Sequence, residues 1–191
     1  ACADYENGII KKHEFTRPDK EEDRKVLMRK LKANIEPVFF TYRAVPELDA
    51  IVATIIQNKP IYDFTAEDGF GHHFWVIDDA ATNQKIEELF RTKVPFTYVA
   101  DGHHRTAAAA GLGNEFTAQN PKHTGTESYN YFMAVHFPDN QMQIIDYNRV
   151  VKDLNGLSAT ALVEKLKIDF DIEKIDTAVL KATHLHQFSM Y

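Results

Sequence analysis

The chain has a single cysteine, Cys2, so it can form no internal disulfide, and a reducing compartment is the easier assumption. It has no run approaching the ~20 apolar residues of a membrane-spanning helix, and no basic-then-apolar segment of the kind that directs secretion. We therefore expect a cytoplasmic protein. It also lacks an excess of positive charge: 22 Lys and Arg against 28 Asp and Glu leave a net charge of −6. That balance disfavours non-specific adhesion to DNA, where neutralisation of phosphates dominates affinity. No helix-turn-helix pattern, internal repeat or low-complexity segment is evident. There is no initiator Met, and both ends read as cut strands. Ala1 to Tyr5 lead into Glu6-Asn7-Gly8, which suits a type I′ turn with a return strand at Ile9 and Ile10, while Phe188 to Tyr191 begin a strand that stops. We expect a fragment of a longer protein.

What is present is enough for a core: 191 residues, 44% apolar and 12% aromatic, support one α/β domain. Strand and helix patterns alternate along it. Pro18 near the start of a helix, an acidic first turn from Asp19 to Asp23 and the apolar Val26, Leu27 and Leu31 predict one helix, with Thr16 as its cap. Residues 37–43 predict a strand, 46–57 a helix, and 61–65 with 72–78 a hairpin. Residues 83–92 predict a helix, 94–100 a strand covered on both faces, and 103 onward a helix that Gly111 or Gly113 ends. The polar stretch 113–128 is expected as a mobile loop. Residues 129–137 and 142–147 then read as a hairpin, Ser158 caps a helix to about Phe170, and 171–175 return as a strand. The fold class expected is a mixed sheet with flanking helices, α/β of an α+β-like kind.

The most informative segment is Val94 to Gly113, which runs a strand into a tight turn and then into a helix. Asp101 is an N-cap candidate, and Gly102 permits a backbone geometry or a close approach that a Cβ would block. His103, His104 and Arg105 would then fill the first helical turn, where unpaired N–H groups and the helix dipole already carry partial positive charge. Cationic side chains work against the helix there unless an anion offsets them. The simplest anion is a phosphate, cradled by the amides of Gly102 to His104 and clamped by Arg105. Plain capping chemistry with solvated histidines is the alternative. A metal held by both histidines is disfavoured, because neighbouring helical residues point about 100° apart.

A second constellation is Lys11-Lys12-His13-Glu14-Phe15-Thr16-Arg17. On a regular strand, His13 and Glu14 fall on opposite faces, and only a bulge or a turn would bring both to one pocket. Glu14 is the best general-base candidate, since phosphoryl transfer to a hydroxyl needs a carboxylate near the nucleophile, and Arg17 would balance transition-state charge. Solvated charges on an edge strand are the competing explanation. His72 is a further pocket candidate, with His73 on the side of Trp75. Asp63, Asp68 and Asp146 are possible Mg²⁺ ligands without any recognisable loop spacing, so no metal site is assigned.

The ADGHHR segment followed by alanines resembles the family catalogued as domain of unknown function 1015. The segment reading IKKHE-x-TR at Ile10 to Arg17, DG-x-x-H-x-x-W at Asp68 to Trp75 and RVVKDL at Arg149 to Leu154 agree with it in order. Members usually carry His before the RVV arginine, where this chain has Asn148, so that position is given no role. They are also roughly twice as long. The turn at Asp101, Gly102, His103, His104 and Arg105 is in addition similar to the phosphate-binding box of the ParB and sulfiredoxin superfamily. That superfamily includes CTP-dependent partition proteins, ATP-using sulfinic acid reductases and a free-serine kinase. The resemblance implies a nucleotide or phosphate ligand, with Mg²⁺ as a possible companion. It leaves two readings open: a small-molecule kinase or nucleotide hydrolase with Glu14, His13 and Arg17 in catalysis, or a non-catalytic regulatory module that binds a nucleotide or metabolite. A ParB-like association with DNA is disfavoured by the charge.

Overall fold

Strand β1 (Ile10–Lys11), β2 (Val38–Tyr42), β5 (Thr97–Asp101) and β6 (Ala134–Pro138) form a four-stranded mixed sheet in the order β1-β5-β2-β6. β1 runs parallel to β5, β5 antiparallel to β2, and β2 parallel to β6. A separate hairpin pairs β3 (Tyr62–Thr65) with β4 (Gly71–Phe74). The helices are α1 (Cys2–Glu6), α2 (Pro18–Leu31), α3 (Pro46–Ile55), α4 (Ala80–Lys93), α5 (His103–Gln119) and α6 (Ala159–Leu166). This computed structural model describes residues 1–176, 181–182 and 184–191. The chain divides into two compact units, Ala1–Met142 and Gln143–Tyr191.

Val38, Phe40 and Tyr42 point to one face of β2, as the two-residue strand period requires. That face carries both apolar clusters: Ile10, Val38, Phe40 and Val99 in one, Tyr42, Val45, Leu48 and Val94 in the other. α5 lies against α2 and α1 and reaches β2. Thr106, Ala107, Ala108, Ala109, Ala110 and Leu112 are all buried along it, because small side chains let backbones approach closely. Strand β5 is covered on one face only. Thr97 and Val99 are buried while Tyr98 is 41% exposed, so its apolar run is an alternating strand and not the two-sided one expected.

Other departures from the expected elements have tertiary causes. Residues 2–6 form α1, not a strand leading into a hairpin. Cys2 Sγ donates to the Ala109 carbonyl at 3.6 Å, so docking on α5 holds this short helix in place. Gly111 and Gly113 do not end α5. A Cβ on Gly111 would lie 2.7 Å from Lys25 of α2, and one on Gly113 would lie 2.8 Å from Cys2 Sγ and from the Tyr129 carbonyl. These glycines admit neighbours, and the helix continues to Gln119 through the first part of the stretch expected as a loop. α2 begins at Pro18, with Arg17 rather than Thr16 at its N-cap, and it buries none of its residues. The expected stripe residues Val26 and Leu31 are 37% and 57% exposed. It meets α5 through Lys25 and Arg29, both paired with Glu115. Residues 142–147 do not return beside β6. Its partner is β2, in parallel, and Asp139–Gln141 form a 3₁₀ turn after it. In the second unit Ser158 caps α6 by accepting from the Ala161 amide at 3.1 Å, and residues 171–175 and 188–191 form no strand.

Candidate functional site

β5 delivers Asp101 to the edge of a turn, and Gly102 reverses the chain with φ +93°, in the left-handed region that favours glycine. Gly102 is therefore the N-cap of α5, without a side-chain cap, and Asp101 is the last strand residue rather than the cap expected. The first intrahelical bond runs from the Thr106 amide to the Gly102 carbonyl at 2.8 Å. The amides of His103, His104 and Arg105 precede it, so the helix supplies them with no carbonyl.

Arg105 folds back over this turn. Its guanidinium donates to the Asp101 carboxylate at 2.7 Å, to Glu36 at 3.0 Å and to the Pro37 carbonyl at 2.8 Å. Part of the excess charge at the helix start is thus offset within the protein, by carboxylates of β5 and of the segment before β2. Asp101 and Glu36 are themselves 71% and 65% exposed, so both ion pairs face water.

The His13-Glu14 segment reaches the same place from β1. The strand stops at Lys11 and Glu14 sits on a bend, so the alternation of faces expected for a regular strand does not apply. His13 meets His103 edge to face with ring centroids 4.4 Å apart, and Glu14 Oε2 lies 3.5 Å from His103 Nδ1, longer than a good hydrogen bond. His103 is buried, 7% exposed, and its Nε2 has no hydrogen-bond partner. Burial, reinforced by the neighbouring His13, pushes its pKa below the ordinary histidine value. His104 has a different task. Its Nε2 accepts the backbone N–H of Arg17 at 3.2 Å, which requires that nitrogen to be unprotonated and ties the entry of α2 to the start of α5.

Glu14, Arg24, Asp101, Gly102, His103, His104 and Arg105 line one open cleft of about 290 Å³. Three expected residues do not line it: His13 packs on His103 outside the lining, and the other two lie elsewhere. The Arg17 guanidinium is held by Asp19, at 2.7 Å, and His72 lies on β4, stacked on Phe64 with ring centroids 5.0 Å apart; neither lines this cleft. His73 pairs with Asp63 at 3.1 Å and its ring lies 5.9 Å from that of Trp75. Asp68 accepts from the Phe70 amide within the hairpin turn. Among the described residues no group of three or more His, Cys, Asp or Glu is placed to hold a metal ion.

Arg24 and Glu36 were not singled out from the sequence. Arg24 is one of several basic residues on a polar helix, and only the packing of α2 on α5 turns it toward the turn. A second recess, of about 50 Å³, adjoins the first through Arg24 and Arg105 and has Met28, Ile35, Phe132 and Met133 in its wall.

Fold and cleft together define a mixed α/β protein whose strand-turn-helix segment meets a carboxylate from a distant bend. The chain belongs to the family described as protein of unknown function (DUF1015), whose model matches residues 1–191. No curated protein and no solved structure matches it. No helix among the described residues is long and apolar enough to cross a membrane.

Proposed function

We propose that the cleft binds the phosphates of a nucleotide and presents them for transfer to a hydroxyl group, with Glu14 as general base. The observation that carries this reading is convergence: Glu14, 87 residues before Asp101 in sequence (101 − 14), lines the same cleft as the turn from Gly102 to Arg105. The amides at the start of α5 offer N–H donors and the positive end of a helix dipole to a phosphate. Glu14 is 55% exposed, accessible to a substrate hydroxyl placed beside the terminal phosphate. As the hydroxyl oxygen forms its bond to phosphorus and the bond to the leaving phosphate breaks, the hydroxyl proton passes to the Glu14 carboxylate. The likeness of this turn to the phosphate box of the ParB and sulfiredoxin superfamily supports the ligand class and does not specify the reaction.

Glu14→Gln keeps size and loses the base. Turnover of ATP with a panel of hydroxyl-bearing acceptors should fall ~10²-fold or more while nucleotide affinity changes little. Undiminished turnover would move the base to another residue, His13 being the nearest candidate.

One observation favours a second reading, a regulatory binding module. Arg105 is already held by Asp101, Glu36 and Pro37, so a phosphate that recruits it must release the segment that leads into β2. Such a release would report ligand occupancy without chemistry. Binding with no turnover in either wild type or Glu14→Gln would support it.

A further inference from the structure

The cationic side chains around α5 are nearly all engaged. Lys25 and Arg29 hold the two carboxylate oxygens of Glu115 at 3.1 and 2.7 Å. Arg17 is held by Asp19, and Arg105 by Asp101 and Glu36. Arg24 lies one residue from Lys25 on α2 and differs from all of them. Its side chain is exposed and makes no hydrogen bond or ion pair with any described residue, which sets it apart from Arg105, the other cation that lines both the cleft and the adjoining recess. Across the cleft, His103 is more than nine-tenths buried and keeps an unpartnered Nε2.

We propose that Arg24 is the principal anion-binding side chain of this cleft, and that Arg105 serves first as a structural tie across the turn. The proposal rests on the phosphate-binding reading above. A phosphate that reaches Arg105 must displace a carboxylate already in place, whereas at Arg24 it displaces only water. An unengaged guanidinium offers two parallel N–H donors to phosphate oxygens, which an ammonium cannot reproduce. With the N–H groups of the first turn of α5 on one side and Arg24 on the other, the phosphate would be held between α2 and α5. Arg24 also lines the recess of about 50 Å³, so the first atoms of the organic part of a phosphate ester would leave the phosphate toward Met28 and Phe132, contacts that free phosphate lacks.

The test is calorimetric titration of wild type, Arg24→Ala, Arg24→Lys and Arg105→Ala with ATP and with inorganic phosphate, each with and without Mg²⁺, beside the melting temperature of each unliganded variant. Arg24→Ala should weaken ATP binding about tenfold or more and leave the melting temperature unchanged. Arg24→Lys should restore only part of the affinity. Arg105→Ala should lower the melting temperature and weaken binding less than Arg24→Ala does. Inorganic phosphate should bind more weakly than ATP. If Arg24→Ala unexpectedly lowers the melting temperature, Arg24→Gln, which keeps most of the stem, is read the same way. ATP binding that is present in wild type and unchanged in the Arg24 variants overturns the proposal and leaves the phosphate site standing. Absence of binding in wild type overturns the phosphate-binding reading, and the role of Arg24 with it.

Discussion

His103 combines burial with an unsatisfied ring nitrogen, and its protonation is coupled to folding. Its folded pKa lies below the ordinary value, so the unfolded chain takes up a proton at about pH 6.5 while the folded chain remains neutral at this ring until the pH is lower. The unfolded state binds more protons in that window. Stability therefore rises with pH through it and is lost as pH falls below about 6.5. His103→Gln removes the titration, so urea melts at pH 5.5 and 7.5 should differ less for the variant than for wild type. An equal difference would show that His103 does not contribute. Arg105 and Glu14 teach a related point at this scale. Side-chain chemistry made both residues conspicuous in the sequence, but apart from Asp101, four residues before Arg105, their partners are residues 36, 37 and 103, at separations that no local pattern encodes.

Packing of α5 on its neighbours depends on the two glycines near its middle. At Gly113 an added Cβ meets the Tyr129 backbone and Cys2 Sγ, both at 2.8 Å, and backbone cannot swing away. Gly113→Ala should destabilise by ~1–3 kcal/mol, the usual cost of overpacking, even though alanine is the better helix former. At Gly111 the obstacle is the end of the Lys25 side chain, which can move. Gly111→Ala should stay within ~1 kcal/mol of wild type, as the gain in helix propensity offsets the loosened Lys25 contact with Glu115. Denaturant melts of the two variants check the ranking, and a reversed order would contradict it.

The connection after α5 is organised by one carboxylate. Glu127 accepts from the Thr124 amide at 2.7 Å and the Gly125 amide at 3.0 Å, and these backbone donors hold its pKa down to about 2. Because this value lies below that of an unfolded glutamate, its contribution is present above about pH 4.5 and lost as pH falls toward 2. NMR titration of the Glu127 carboxyl should give that low value, and Glu127→Gln should speed amide exchange at Thr124 and Gly125. A midpoint near 4.5 would contradict the placement.

Elements with local signals were legible. Proline at the first position of α2 and α3, Ser158 as a cap, and the run into ADGHHR each encode their structure within a few residues, whereas α4 starts three residues earlier than expected, at Ala80 behind an Asp79 cap. Those that depend on distant partners were not. α1 is five residues long and docks through Cys2, and the parallel pairing of β6 with β2 joins segments about a hundred residues apart. The sequence pattern of such a strand is the same whether its partner is adjacent in the chain or remote.

In the first unit, the sheet places the turn at the carboxyl end of β5, where open α/β sheets commonly form ligand crevices, and Glu14 on the bend after β1 and Arg24 on α2 complete the lining. The net charge of −6 argues against a broad basic surface, so the proposed anion would be held locally in the cleft. The proposed binding of phosphate in this cleft is tested most directly by following the backbone amide resonances during titration with ATP, with and without Mg²⁺. The account predicts that the largest shifts fall on His103, His104 and Arg105, with smaller ones at Glu14 and in α2 beside Arg24. Shifts that are absent at saturating ATP, or that gather away from the start of α5, would contradict it.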